Sequence, residues 1–455
     1  MSDTQELKPS AATDMQLSEP KHILDQSAMS RLQIVAVAAC ILLNALDGFD
    51  VLAISFASPG IAGEWGINRA ELGIVLAAEL IGMAIGSVIL GNVADRIGRR
   101  PTIFFCLVLM TAGMYCASLA ASVNILLITR LITGLGIGGM LASTNAMTAE
   151  FSNAKYRNLA VILMAAGYPM GAIIGGSVST HLLEIYDWRA IFVFGAIVSG
   201  SFVFIVWAAL PESIEYLASK RPKNALARIN KTLLSMGHQA LAQLPTVKAK
   251  EEKSNYSTLF SNKYRALTLL LILGYFMHIM TFYYILKWIP KIVVDMGYAA
   301  SSAGTVLIWA NVGGALGALT LGLISTRISL TKLLIIMLGL AFMMVSAFGL
   351  GYENITQLST IAAMTGFFTN AGVVGFYALI ASSFPAEIRA GGTGVVIGMG
   401  RGGAALGPVI AGFLFVSGMS LLAVSIVMAA GAAIAAAAIF FLRPVLARLN
   451  GAASI

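Results

Sequence analysis

Charged side chains are scarce in this chain. Asp, Glu, Lys and Arg together make up 11% of the 455 residues, hydrophobic types make up 58%, and the mean hydropathy is +0.85. A water-soluble fold cannot hide that much apolar surface, so that class is excluded. Cysteine is scarce too. Cys40, Cys106 and Cys116 each fall in an apolar run, where a small buried hydrophobe is the expected role, and a disulfide framework is excluded. The four histidines, His22, His181, His238 and His278, are scattered, so no metal or cofactor site is expected. No nucleophile stands with a base and no sizeable soluble domain is present, so neither an enzyme nor a receptor is expected. The first thirty residues lack the basic-then-apolar pattern of a cleaved signal, and the first apolar run should be retained.

What is present is apolar length. Runs of about 20 residues, enough to cross a bilayer as helices, recur near 31–59, 71–92, 101–121, 124–149, 158–182, 189–210, 265–290, 301–324, 330–350, 355–383, 391–416 and 419–443. The fold class is an all-α integral membrane protein of about twelve transmembrane helices. The 46 glycines suit helix packing in lipid.

The net charge of +8 does not point to nucleic acid, because its distribution is that of a membrane protein. Arg69, Arg189 and Lys291 fall at one side, Arg130, Lys287 and Arg401 fall within spans, and the other Lys and Arg fall on the opposite side. The positive-inside rule makes that basic side the cytoplasm and places both termini there.

The spans divide into two six-helix bundles. The chain reads as a tail (1–30), a first bundle (31–210), a polar cytoplasmic linker (211–264), a second bundle (265–443) and a second tail (444–455). "GNVADRIGRRPTIF" after the second span is echoed by "GLISTRISLTKLLI" after the eighth, with Gly91 matching Gly322 and Arg96 matching Arg327, while Asp95 meets Thr326. Duplicated halves around a midplane site are a transporter architecture.

Charges inside the spans are the candidate site. In "NALDGFDVLAI", Asp47 and Asp50 stand i, i+3 on one helix face, a little beyond mid-membrane, and Arg130 lies at comparable depth on the fourth span. Such residues mark ion pathways, and two nearby carboxyls with an arginine can make a proton-responsive group. A structural salt bridge is the alternative. Arg401 lies near the midplane among Gly398, Gly400, Gly402 and Gly403, with room to grip a carboxylate bidentately. Lys287, beside Trp288 and Pro290, either snorkels to the headgroups or lures anions at the outer mouth. His278 and Glu79 are ambiguous. Tyr283, Trp309 and Tyr377 are candidates to stack on an aromatic ring.

"GNVADRIGRR" resembles the signature loop of the major facilitator superfamily. "DGFD", "RLITGLGIGG", "KWIP", "FPAEIRAGGTG" and "GRGG" resemble its aromatic acid:proton symporter branch. The resemblance implies the two-bundle fold. It also implies uptake of a benzoate- or hydroxybenzoate-type carboxylate with protons, by a monomer in a bacterial plasma membrane. It makes Asp47, Asp50 and Arg130 necessary for transport and Arg401 important for substrate. A carrier of the same fold for another organic anion, or an efflux antiporter, is the rival; "GYPMGAIIGG" lacks the Gly-Pro pair common in the latter. In the signature loop Gly91 should allow a tight exit from the second helix. Asp95 should cap the eleventh helix and hold the cytoplasmic gate shut. Arg96, Arg99, Arg100, Glu150, Arg157 and Arg389 belong with that gate.

Overall fold

A computed structural model describes residues 20–244 and 256–451. Among the described residues there is no strand, and twelve helices are long and apolar enough to cross a membrane. They are α1 (Arg31–Trp65), α2 (Arg69–Ile97), α3 (Arg99–Ser118), α4 (Val123–Phe151), α5 (Arg157–Ile185) and α6 (Arg189–Ala209). The second six are α7 (Arg265–Asp295), α8 (Ala300–Ile324), α9 (Leu330–Phe348), α10 (Ile355–Ser383), α11 (Ala386–Val416) and α12 (Leu421–Gly451). The start signals are local. Ser30 and Asn68 each form a capping box, with Gln33 and Glu71 three residues on.

Small residues set the packing, and they set it twice. Gly82 and Gly86 on α2 face the backbone of α4, and Gly134 and Gly138 on α4 face the backbone of α2. In the second half, Gly313 and Gly317 on α8 meet the backbone of α10, and Gly366 on α10 meets that of α8. Likewise α1 pairs with α5 through Gly48 and Gly171, and α7 pairs with α11 through Gly403 and Gly407. The weak echo read in the sequence is therefore matched by the same helix pairings in each half.

A Cβ at Gly171 would collide with the Ala45 carbonyl of α1, whereas nothing lies within 4 Å of one at Gly322. Gly171→Val should therefore lose about 1–3 kcal/mol by overpacking, and Gly322→Val should be near neutral. Thermal midpoints of the detergent-solubilised variants compare the two. Equal midpoints would refute the close α1–α5 approach.

The halves meet through α2 against α11 and α5 against α8, and they meet unevenly. Gly73 and Arg69 touch Pro408 and Gly412, and Gly176 and Thr180 touch Ile308 and Gly304. Arg69 bonds Asp295 at 2.9 Å and lies 5.0 Å from the Phe415 ring centroid. All these contacts lie toward the sparsely charged side. Along the heptad-spaced stripe of α11, Phe415 and Pro408 are buried, Arg401 is part-exposed and Gly394 is exposed. The matching face of α2 runs from buried Gly73 to Asp95, whose side chain is 59% exposed. The bundles thus close at one side and part toward the basic side.

Several expected boundaries move. Helix α2 does not exit at Gly91, which sits inside it with only Ala142 near; it ends at Gly98, where φ is +114° and the N–H donates to Ala94 O at 3.0 Å. Helix α11 begins at Ala386 rather than 391. The segment read as a linker is partly structured, because Ala225, Ile229 and Leu233 form a buried stripe on the helix Ala225–Ser235. That helix and Ile214–Lys220 precede residues 245–255, which fall outside the described residues.

Candidate functional site

Arg130 is the centre of a fully buried charge cluster. It projects from α4, whose glycine face lies on α2, and its guanidinium therefore meets Glu79 of α2 in an ion pair. It also donates to the backbone carbonyl of Asp50 at 3.1 Å, contacts Met114 Sδ at 3.1 Å and lies 5.3 Å from the Phe192 ring centroid. It forms no ion pair with the carboxylate of Asp47 or Asp50, and its salt bridge is made to Glu79 instead.

Lys287, expected at the headgroups or outer mouth, is instead 0% exposed. It comes from α7 in the other half, donates to the Val51 carbonyl of α1 and stands 3.6 Å from Glu79 Oε2. Glu79 is thus held by one cation from each bundle. Breaking such a buried pair by removing one partner is strongly destabilising, since it leaves a charge without compensation.

The two aspartates lie beside this cluster, nearly without donors. Ser199 Oγ donates to Asp50 Oδ2 at 3.4 Å, while Asp50 Oδ1 and both oxygens of Asp47 are buried with no hydrogen-bond partner. A donorless ionised carboxylate carries a desolvation cost that nothing offsets. A carboxyl in that setting is suited to hold a proton.

Arg401 has no ion-pair or hydrogen-bond partner among the described residues. Four tyrosines lie within electrostatic range of it: Tyr168 on α5, Tyr275 and Tyr283 on α7, and Tyr377 on α10. Asp47 of the first half is also within that range. The Tyr275 hydroxyl donates to the Tyr377 hydroxyl oxygen at 3.2 Å, and the buried Tyr168 hydroxyl lies beside that of Tyr283. Tyr168 also lines a small cavity between the halves with Pro169, Phe282, Leu286, Asn311 and Asn370. A guanidinium and phenol hydroxyls together can bind a carboxylate that carries ring hydroxyls.

Two candidates are not part of this arrangement. His278 is fully buried, hydrogen-bonded through Nε2 to Thr369 O at 2.8 Å and stacked on Phe376, so it joins α7 to α10. Trp309 is 49% exposed, shares the i, i+7, i+14 stripe of α8 with exposed Leu316 and Leu323, and is not among the aromatic residues within electrostatic range of Arg401. Sequence reasoning missed Tyr168, Tyr275, Phe282, Asn311 and Asn370. The seven-residue spacing of Tyr275 and Phe282 was the available signal.

At the basic side the expected gate divides into separate contacts. Asp95 pairs with its neighbour Arg99 at 3.1 Å. Glu212 from the start of the linker caps α3 instead, accepting from the N–H groups of Arg99 at 2.9 Å and Arg100 at 3.1 Å. Ser213 donates to Glu150, Tyr216 donates to the Arg96 carbonyl at 3.0 Å, and Arg100 donates to the Trp207 carbonyl at 2.7 Å. Arg157 stands elsewhere, paired with Asp25 of the helix Pro20–Gln26. Arg389 turns back onto the Phe384 carbonyl at 3.2 Å.

Comparison with known proteins shows the family and the fold. The family model described as Major Facilitator Superfamily matches residues 40–351 and 271–453. The 4-hydroxybenzoate transporter PcaK of Pseudomonas putida is 31% identical over 389 residues, which are 84% of this chain and 86% of that protein. The gallate transporter of Pseudomonas putida is 29% identical, over 88% of this chain and 90% of that one. Among solved structures, a D-xylose-proton symporter superposes with a TM-score of 0.69 at 18% identity, covering 90% of this chain and 97% of that chain.

Proposed function

The chain belongs to the Major Facilitator Superfamily and to its aromatic acid:proton symporter branch, and from that premise we propose that it imports an aromatic carboxylate together with protons by alternating access. The observation that carries the reading is Arg401, a midplane cation with no ion pair or hydrogen bond among the described residues and with four tyrosines within electrostatic range. The relatives' printed substrates, 4-hydroxybenzoate and gallate, are hydroxylated benzoates, and phenol hydroxyls around a guanidinium suit that chemistry.

The roles follow from position. Arg401 takes the carboxylate, and Tyr283, Tyr377, Tyr168 and Tyr275 take ring hydroxyls. Asp47 and Asp50 accept the coupled proton, with Arg130, Glu79 and Lys287 linking that event to the contact between halves. Substrate and proton need only bind the two conformations with different affinity. The 31–210 and 265–443 bundles rock as units, and the basic side is the cytoplasm of a bacterium, so the conformation described is inward-facing. In the outward-facing state Asp95 moves onto the N-terminus of α11. The working unit is a monomer in the plasma membrane.

Arg401→Lys keeps the charge and loses the planar fork. Affinity for 4-hydroxybenzoate, measured by binding to purified protein, should fall roughly ten- to a hundredfold, the worth of a charge-assisted bidentate contact at about 1.5–3 kcal/mol. Unchanged affinity would show that Arg401 does not hold the carboxylate. Loss of accumulation when the proton gradient is collapsed tests the coupling separately.

A further inference from the structure

Away from the translocation path, a cleft of about 320 Å³ opens at the basic side between the ends of α3 and α6 and the helix Ala225–Ser235. Arg100, Arg228, Lys231, Thr232 and Ser235 line it, with Trp207 at its edge. We propose that this cleft binds the phosphate headgroup of an anionic phospholipid of the adjoining leaflet.

The charge balance of the cleft favours an anion. Three cations line it against one acid, Glu212, and the Oε1 of that acid is already used by the N–H groups of Arg99, Arg100 and Ser213. Arg228 and Lys231, three residues apart, present two cations from one helix face, beside the Thr232 and Ser235 hydroxyls, which already donate to the Arg228 and Thr232 carbonyls. Arg228 and Lys231 have no acid partner among the described residues, and Arg100 is held in place by its bond to the Trp207 carbonyl. This donor set matches a phosphate.

The surroundings select a lipid over a free phosphate. Trp207 is 69% exposed and Phe204 is 73% exposed on α6, and Phe105 and Val108 are exposed on its neighbour α3. These side chains continue from the cleft along the lipid-facing surface, where acyl chains would lie. A basic pocket above an apolar wall, with a Trp at the boundary, recognises anionic headgroups at the leaflet surface. The positive-inside rule alone scatters cations over this side, but it does not gather them around a concave site.

The test is native mass spectrometry of the full-length protein with phosphatidylglycerol or phosphatidylcholine. The parent should retain phosphatidylglycerol at least about tenfold better. Arg228→Gln with Lys231→Gln, both exposed positions, should remove that preference. Lys155→Gln with Lys263→Gln, on the same side but outside the cleft, should preserve it. Equal retention of the two lipids by the parent, or an undiminished preference in the Arg228/Lys231 variant, overturns the proposal. Glycerol phosphate competing as well as phosphatidylglycerol also overturns it, in favour of a site for soluble phosphates.

Discussion

Glu79→Gln should give a protein that melts well below the parent and accumulates no substrate. The change keeps the shape of the side chain but removes the carboxylate shared by Arg130 and Lys287, all three of which are 0% exposed. Two cations are then buried with no acid paired to them, and the loss expected for breaking such a site is about 3–5 kcal/mol. A second substitution tells this account from general damage. Lys287→Gln in the same chain removes one of the two orphaned charges, so it should recover part of the lost thermal midpoint. Recovery has a directional consequence as well, because Lys287 ties α7 to α1 and α2 across the closed side. Single-cysteine positions on that side should label faster in Lys287→Gln than in the parent. A Glu79→Gln protein with the parental midpoint and parental accumulation would remove the cluster from both stability and transport.

Asp50→Asn should abolish accumulation while sparing exchange. The contact from Arg130 goes to the backbone carbonyl of Asp50, and a backbone carbonyl survives the substitution. The side chain keeps its size and its position beside Ser199. Only the capacity to take up a proton is lost. One coupled proton moving down a difference of one pH unit contributes about 1.4 kcal/mol, equivalent to roughly tenfold accumulation. Inverted and right-side-out vesicles loaded with labelled 4-hydroxybenzoate separate the two modes. Counterflow should continue in the variant, and gradient-driven uptake should drop to the equilibrium level. Gradient-sensitive accumulation at the parental level would assign the proton elsewhere, and Asp47, whose carboxyl oxygens have no partners, is the next position to test.

The twelve spans were readable because a bilayer demands about 20 apolar residues whatever the packing. What was not readable depended on rotation about the helix axes, on helix ends and on conformation. Depth along the spans put Arg130 level with Asp50, correctly, but did not say which way its side chain points. The glycine faces that press α4 onto α2 turn it toward Glu79. A span ending at 290 sets Lys287 at the headgroups or the outer mouth. The helix runs on to Asp295, which leaves Lys287 two turns inside. Gly91 lies inside α2 because a helix exit needs a cap, and the positive φ is at Gly98. Trp309 could not be oriented from one helix alone. The tyrosines around Arg401 come from α5, α7 and α10, so no local pattern gathers them. Asp95 is paired with Arg99 in this structure, and no residue type in its loop tells one conformation from another.

The cap on α3 has a consequence for the order of synthesis. The N–H groups of Arg99 and Arg100 are satisfied by Glu212, which is 113 residues further along the chain than Arg99. At a ribosomal pace of about 5–20 residues per second, roughly 6–23 s pass between the making of the donors and the making of their acceptor. In that interval α4, α5 and α6 must emerge while the start of α3 stands open at the membrane surface. The first bundle is therefore finished by residues that follow its last helix. A nascent chain halted after Leu210 would have all six helices and an unsealed α3. One extended through Leu241, which exchanges two hydrogen bonds with Asn230, would also hold the docked helix. The natural seam for expressing the halves as separate polypeptides thus lies beyond the docked helices and not directly after α6.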